Sequence, residues 1–494
     1  MIIPFAQRRL LTTAALAGIA AGLIGVIAAL HYHSLGLTLS HYDARGHLIV
    51  ARRIFDSITP GWQQIGAVWL PLPHLINALP AQVDFFYRTG ASGVAISVVS
   101  FAVAAGAIAW IVAALSGSEL PALAAAIVFV LNPNVLYLQS TPMTEPLLLA
   151  LTTLGVALTI ESIRRPRTAS LEHAAGVVLA LACLTRYEAW PVTVTVLVIV
   201  LWIRWRASGS VVQAIHDTLP LAVYPAAAVV GFSIFSRVVI GEWFVANGFF
   251  VPENKALGDL WLAAKEIGWG VERLSRYWLV WAAVCGLGVA AARAFLGRPE
   301  SLLVFALLTT GATPLAAFYR GHPFRIRYMV PLLAVQAIGV GLVPGVFRRL
   351  RIPATVAAAA LAIATLRPLD ASSPMVVEAQ WDRPNTAVRA EVTACLQRPL
   401  SGGKIMASMG SLGHYMQEAS RSGLELRDFL HEGNGDIWLA ALDDPRPFAD
   451  WILIEEKAEG GDMLAHLARE RPRFLDGYSR VCEGAGLALY RRAR

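Results

Sequence analysis

A succession of apolar runs, each close to the length that crosses a lipid bilayer, most constrains how this chain can fold. A spanning helix needs about 20 apolar residues, and fewer where its polar ends reach the headgroups. Such runs occupy 10–30, 91–115, 120–138, 144–163, 219–240, 278–295, 301–318, 328–347 and 353–366, with a shorter pair at 174–184 and 190–203. They predict a polytopic α-helical membrane protein of about eleven transmembrane helices. Composition agrees, since 56% of residues are hydrophobic and 15% charged, against roughly 25% charged in soluble domains. The run at 10–30 lacks a small-residue cleavage site before polar sequence, so it is expected to be a retained first span.

Arginines set the expected orientation. Arg8 and Arg9, "RRPR" at 164–167, "RWR" at 204–206, Arg293 with Arg298, and "RRLR" at 348–351 fall on alternate connections. Cytoplasmic loops carry such a bias. The connection at 116–119 is the exception, with no positive charge. The N-terminus is therefore expected in the cytoplasm of a cell with an inner membrane, and an odd number of spans puts the C-terminal part on the periplasmic or external side. The formal charge of +7 belongs to this bias, and no nucleic-acid partner is expected. Two long external loops follow, 31–90 and 241–277. The second, with Trp243, Trp261 and Trp269 and with Trp278 just beyond it, suits segments at headgroup level.

After Leu366 the composition changes. "GKIMASMG", "DWILIEE" and "GLALYRR" read as short strands, while "PNTAVRAEVTACLQ" and "DMLAHLARERP" read as helices. Strands alternating with helices predict a small α/β domain, giving a membrane module over 1–369 and an external domain over 370–494. Cys183 and Cys285 lie in apolar runs and are expected to be packing residues. Cys395 and Cys482 lie in the polar part, where an oxidising compartment would allow a disulfide. No Cys or His spacing suggests zinc.

Ionisable residues at membrane depth cost several kcal/mol and face a cavity or one another, so the places where they interrupt the apolar pattern carry the functional reading. In "HYDARGHLIVARRIF", a helix would place Asp43 and His47 on one face, with Leu48, Ile49, Ala51, Ile54 and Phe55 toward lipid or bundle. Arg45, Arg52 and Arg53 would suit lipid headgroups, but Asp43 gains nothing there and is assigned a functional role. In "LNPNVLYLQSTPMTEPLLLAL", Glu145 opens the fourth span, where it serves either a helix start, with Thr144 as N-cap, or a site. In "CLTRYEAWPV", Arg186 and Glu188 break an otherwise continuous hydrophobic stretch, either pairing with each other or facing a cavity. In "FYRGHPFRIRYMVPLL", Arg320, His322, Arg325 and Arg327 gather where the topology asks for no positive charge. Guanidinium forks bind phosphate oxygens in pairs, so this cluster suits a phosphate. His414, Glu418, His431, Glu432 and Asp436 in the C-terminal part read as a solvated surface in preference to a metal site.

The layout resembles the membrane glycosyltransferases of the GT-C fold, in particular the protein O-mannosyltransferase and aminoarabinose (lipid A) transferase group. "HYDARGH" stands where those enzymes carry an acidic first-loop motif. "WLPLPHLINAL" resembles their proline-rich segment, "LNPNVLYLQSTPMTEPLLLAL" their Asn-Pro to acid passage, "LTRYEAW" their break between two short helices, and "RYMVPLL" their later Arg-Tyr span opening. The resemblance covers roughly Leu10 to Pro331; the C-terminal domain has no counterpart in it. It implies an inverting transfer from a polyprenyl-phosphate sugar to an acceptor hydroxyl, with Asp43 as general base. Arg186, Arg325 and Arg327 would hold the departing phosphate. His47, Glu145, Glu188, His322 and Tyr328 are secondary candidates. The implied partners are the lipid-linked donor, membrane lipid and an acceptor that is protein, lipid or polysaccharide. No cofactor is assigned: the family motif often has two adjacent acids, but Ala44 follows Asp43, which weighs against a divalent metal. The proline-rich segment also lacks a lysine near Trp69, although Pro71 and Leu72 remain. The alternative is a transporter or flippase of a lipid-linked sugar or other anion, which would show two related halves; no half-repeat is visible.

Overall fold

The computed structural model describes residues 5–165, 169–243, 254–347, 349–396, 403–456 and 462–493, with the side chains of 5–9 left out. The side chains of Arg8 and Arg9, residues Arg167 and Arg348, and 244–253 of the loop expected at 241–277 thus lie outside the described residues. The chain divides into two compact units. The first comprises Met1–Leu35, Val68–Leu72 and Val94–Glu378; the second comprises Gly36–Ala67, Pro73–Gly93 and Ala379–Arg494.

Among the described residues, seven helices are long and apolar enough to cross a membrane: Leu10–Ser34, Ala91–Ser116, Glu145–Arg164, Ala189–Ser208, Val211–Ile240, Tyr277–Phe295 and Pro299–Tyr319. Four shorter apolar helices, Glu119–Val130, Ala169–Cys183, Ile326–Leu342 and Arg351–Leu366, fall on the remaining runs. The protein is an integral membrane protein. Local chemistry shifts some boundaries from their sequence-based positions. The run at 120–138 is not one helix, because Asn132 ends it. Its Oδ1 accepts from the backbone N–H of Asn134 and Val135 and starts a new turn at Pro133, where a missing N–H costs nothing. The helices Tyr277–Phe295 and Leu332–Leu342 meet through small residues. A Cβ on Gly286 would lie 1.7 Å from the Gly339 carbonyl oxygen, and one on Gly339 would lie 2.6 Å from that of Ala283. Backbones approach this closely only where side chains are absent, a common device between membrane helices. Cys183 is buried and hydrogen-bonded to Thr193 at 3.3 Å. Cys285 is exposed on its span, not packed as expected.

The second unit is built on a five-stranded sheet in the order β2-β1-β3-β5-β4, with β1 Lys404–Ala407, β2 Phe429–Leu430, β3 Ala449–Glu455, β4 Tyr478–Gly484 and β5 Leu487–Arg492. β2, β1 and β3 run parallel, and β5 and β4 add an antiparallel hairpin. Period-two alternation sorts the strand residues. Ile405, Ala407, Trp451 and Leu453 enter one core, while Met406, Ile452 and Ile454 enter the other. Into the first core go Leu48 and Ile49 of helix Tyr42–Arg53, packed with Tyr415 and Phe429. These residues therefore face the sheet's core and not lipid. Cys395 and Cys482 are disulfide-bonded, tying helix Thr386–Ala394 to β4.

Candidate functional site

Asp43 and His47 belong to the second unit; Glu145, Arg186, Glu188, His322, Arg325, Arg327 and Tyr328 belong to the first.

In the first unit, the hydrophobic stretch breaks between helices Ala169–Cys183 and Ala189–Ser208. The last turn is closed by Trp190, whose Nε1–H donates to the Cys183 carbonyl at 2.9 Å. The break is held from elsewhere in the chain by Leu72 of the proline-rich segment, whose N–H donates to the Leu184 carbonyl at 2.9 Å. Arg186 turns inward here. Its Nη1 lies 2.9 Å from Glu145, its Nη2 lies 2.6 Å from Glu188, and it donates to the Thr144 hydroxyl at 3.0 Å. Glu145 is wholly buried and its side chain takes no hydrogen bond among the described residues beyond this ion contact. Thr144 sits at the helix start, but its hydroxyl serves Arg186 and makes no cap bond. Burial works against the Arg186 charge; Glu145 and Glu188 outweigh it and hold the guanidinium's pKa above its ordinary value, with Arg327 as an opposing like charge.

Arg327 is 9% exposed. Its guanidinium carbon sits 5.0 Å from the Tyr328 ring centre, and the Tyr328 hydroxyl is 3.5 Å from His322 Nε2. Facing this group is Glu378, which accepts the Ile326 backbone N–H at 2.7 Å. Burial raises the Glu378 pKa, against the pull of that N–H and of Arg327 and Arg325. Glu145 and Glu188 thus both pair with Arg186, while Glu378 lies in the field of Arg325 and Arg327. Sequence reasoning missed Glu378. Its only signal is a lone acid in "PMVVEAQ", which nothing local ties to Arg327.

In the second unit, His41 caps helix Tyr42–Arg53, its Nδ1 accepting the Asp43 N–H at 3.1 Å. Asp43 is half-buried in the first turn. His47 is buried and meets His74 Nε2 through its Nδ1 at 3.0 Å, a partner no local pattern announces. The helix's arginines do not reach for lipid as the amphipathic reading expected. Arg45 pairs with Glu418, Arg52 with Asp56 and Asp84 at 2.8 Å each, and Arg53 donates to the Gln64 carbonyl. Tyr42 donates to the Gly410 carbonyl at 2.7 Å. Burial raises its pKa, and Asp43, Glu455, Glu432 and Asp382 add to the rise. Burial and Asp462 push Glu455 up to about 7, and burial pushes Asp462 up to about 6.

The C-terminal residues read as a solvated surface are mostly interior. His414 and His431 are buried, and burial lowers them to about 4 and about 3. Glu418 pairs with Arg389 at 2.8 Å, and Glu432 accepts the Met409 N–H at 2.7 Å. Among the described residues no group of three or more His, Cys, Asp or Glu is arranged to hold a metal ion.

No protein-family profile matches the sequence, and no curated protein sequence matches it. Solved structures do. The chain is similar to ArnT from Cupriavidus metallidurans bound to undecaprenyl phosphate, and to the same protein in the apo state. In each case the TM-score is 0.58 at 12% identity, over 95% of this chain and 97% of that one. It is also similar to the oligosaccharyltransferase of Archaeoglobus fulgidus in complex with Zn and sulfate, with TM-score 0.50 at 12% identity, over 97% of this chain and 73% of that one. The fold is the GT-C fold of polytopic membrane glycosyltransferases, as the motif order in the sequence implied.

Proposed function

We propose that this chain is a glycosyltransferase of the GT-C type, moving a sugar from a polyprenyl-phosphate donor to an acceptor hydroxyl with inversion. Asp43 takes the proton from the acceptor hydroxyl. The freed oxygen forms a bond to the anomeric carbon as the bond from that carbon to the phosphate oxygen breaks, its electron pair leaving with the phosphate. Arg325 and Arg327 hold that phosphate, through the paired contacts that guanidinium forks make to phosphate oxygens. Fixed positive groups stabilise charge developing on a leaving group. Arg186 has a lesser share than its position in the motif implied: two carboxylates already balance it, and a phosphate brought against it would meet Glu145 and Glu188. Its role is to shape the break after Leu184.

The reading rests on buried Arg327 with half-buried Arg325 beside it, grouped with Tyr328 and His322 in a chain of this fold. A solved neighbour that binds undecaprenyl phosphate supports a lipid-linked donor. Fold likeness alone does not carry function, so the residues must. The reading places the protein in the inner membrane with a cytoplasmic N-terminus and the second unit on the periplasmic or external side. The acceptor is a protein, lipid or polysaccharide.

The test uses reconstituted protein, a panel of radiolabelled polyprenyl-phosphate sugars and a crude acceptor extract. General-base help contributes typically 10²–10⁴-fold. Asp43→Asn is therefore expected to lower transfer about a hundredfold or more with donor binding retained. Full transfer by the variant removes Asp43 from the chemistry. Labelled lipid crossing the bilayer without any transfer favours a flippase instead.

A further inference from the structure

The first unit holds a cavity of about 830 Å³ that contains none of the residues assigned above to the donor. Its walls come from the ends of helices Leu260–Ser275, Tyr277–Phe295 and Arg351–Leu366 and from the segment after Leu366. Arg273, Arg276 and Arg367 line it with Trp269 and Trp278, against the acids Glu272 and Asp370. Arginine and tryptophan at span ends ordinarily meet lipid headgroups, and three further observations separate this cavity from such a belt.

The first is backbone strain. Arg276 has φ 79° and ψ 142°, and Arg367 has φ 46° and ψ 74°. Side chains with a Cβ rarely adopt these conformations, which persist only where the surroundings hold them and which gather at ligand sites. The second is unmatched charge. Among the described residues no ion pair joins Arg273, Arg276 or Arg367 to a carboxylate; Arg273 lies 5.2 Å from the Trp269 ring centre instead. Asp370 stands in the electrostatic reach of Arg276 and Arg367 and its Oδ1 accepts from the Ser372 hydroxyl at 2.7 Å, so it offsets part of the three positive charges without pairing with any of them. The third is the helix Tyr277–Phe295, which begins at this wall with no side chain capping its first turn. Its orphan N–H groups and positive dipole end favour an anion.

We propose that this cavity binds an acidic saccharide, its phosphate or carboxylate in the fork of Arg273, Arg276 and Arg367 and its ring against Trp269 and Trp278. Guanidinium forks match both anions in pairs, and the apolar faces of a sugar ring stack on indole. Such a ligand comes either free in solution or as the headgroup of a lipid. The site stands whether or not the chain is a transferase, since only binding is claimed for it.

The experiment is calorimetric titration of the full chain in phosphatidylcholine nanodiscs, with glucose 1-phosphate and methyl glucoside as probes. A second arm repeats it in nanodiscs containing phosphatidylinositol. The phosphate sugar is expected to bind at least tenfold more tightly than the neutral one. Arg276→Gly and Arg367→Gly are each expected to weaken it at least tenfold while holding or raising the thermal midpoint, because glycine accepts both conformations without strain. Trp278→Ala weakens glucose 1-phosphate more than inorganic phosphate, and Arg206→Ala, at an exposed arginine of another helix end, leaves binding unchanged. Competition by phosphatidylinositol identifies a lipid headgroup as the source; undiminished binding identifies a free saccharide, and both support the site. Three results overturn it: no binding by wild type in either arm, unchanged affinity in both glycine variants, or loss of binding in Arg206→Ala.

Discussion

Nη1 of Arg186 lies 2.9 Å from Oε1 of Glu145, a carboxylate with no exposed surface. The two residues are far apart in sequence, and Glu188 completes the arrangement at 2.6 Å. Removing one partner of a buried ion pair costs about 3–5 kcal/mol, because the other is left charged and unpaired. Arg186→Met strands two carboxylates and is expected to lose stability in that range. Glu145→Gln leaves Arg186 with Glu188 and should cost less, about 1–2 kcal/mol. The double variant Glu145→Gln/Arg186→Met is expected to recover part of the arginine loss, read as a non-additive shift in thermal unfolding. Additive losses would show that the two side chains are not coupled.

The phosphate assignment has its own signature. Arg327→Ala is expected to lower kcat/KM for the lipid-linked donor about 10²–10³-fold, the usual cost of removing one fixed donor from developing charge. Arg327→Lys should restore only part of it, since an ammonium keeps the charge but not the planar fork. Kinetics unchanged in Arg327→Ala would move the phosphate elsewhere.

Stability of the second unit depends on pH through Glu455. Burial, helped by Asp462, pushes its folded pKa up to about 7 from an ordinary 4.5. The folded state therefore favours the protonated form. Its stabilising share is full below about pH 4.5 and is lost as pH rises through about 7, amounting to on the order of 3 kcal/mol. Buried His414 and His431 act in the opposite sense: their folded pKa values fall to about 4 and about 3, so their contribution is lost as pH falls below 6.5. Glu455→Gln is expected to raise the unfolding midpoint at pH 8 and to leave it nearly unchanged at pH 4. Equal effects at both values would remove Glu455 as the titrating group.

Helix contact in the first unit can be tested at Gly286. A methyl there would enter the space of the Gly339 carbonyl, at 1.7 Å from its oxygen. Gly286→Ala should cost about 1–3 kcal/mol through overpacking, while Gly288→Ala, where a Cβ meets nothing within 4 Å, is the control. Similar midpoints for the two variants would mean that the helices do not meet as described.

Span positions follow from composition alone. A run of apolar residues has one low-energy solution in lipid, a helix that satisfies its own backbone, so 91–115 and 144–163 needed no tertiary context. The motif order that pointed to the GT-C fold was legible for the same reason: prolines and charges placed against such runs stand out. Strands β1, β3 and β5 were legible as short apolar runs, whereas β2, of two residues, and β4, largely exposed and polar, carry too little of that signal.

The partners of the charged residues were decided by tertiary structure. Sequence placed Arg186 beside Glu188 but could not bring in Glu145 or Thr144, nor set Glu378 near Arg325 and Arg327. Helix Tyr42–Arg53 reads as amphipathic and interfacial from its own residues. Only the fold shows Leu48 and Ile49 inside the core of a sheet whose strands lie after residue 403, with Arg45 held by Glu418. The physical reason is range. Burial preference and helix periodicity act over a few neighbouring residues and are written locally, while an ion pair or a shared core depends on which distant segments the finished fold brings within a few ångströms.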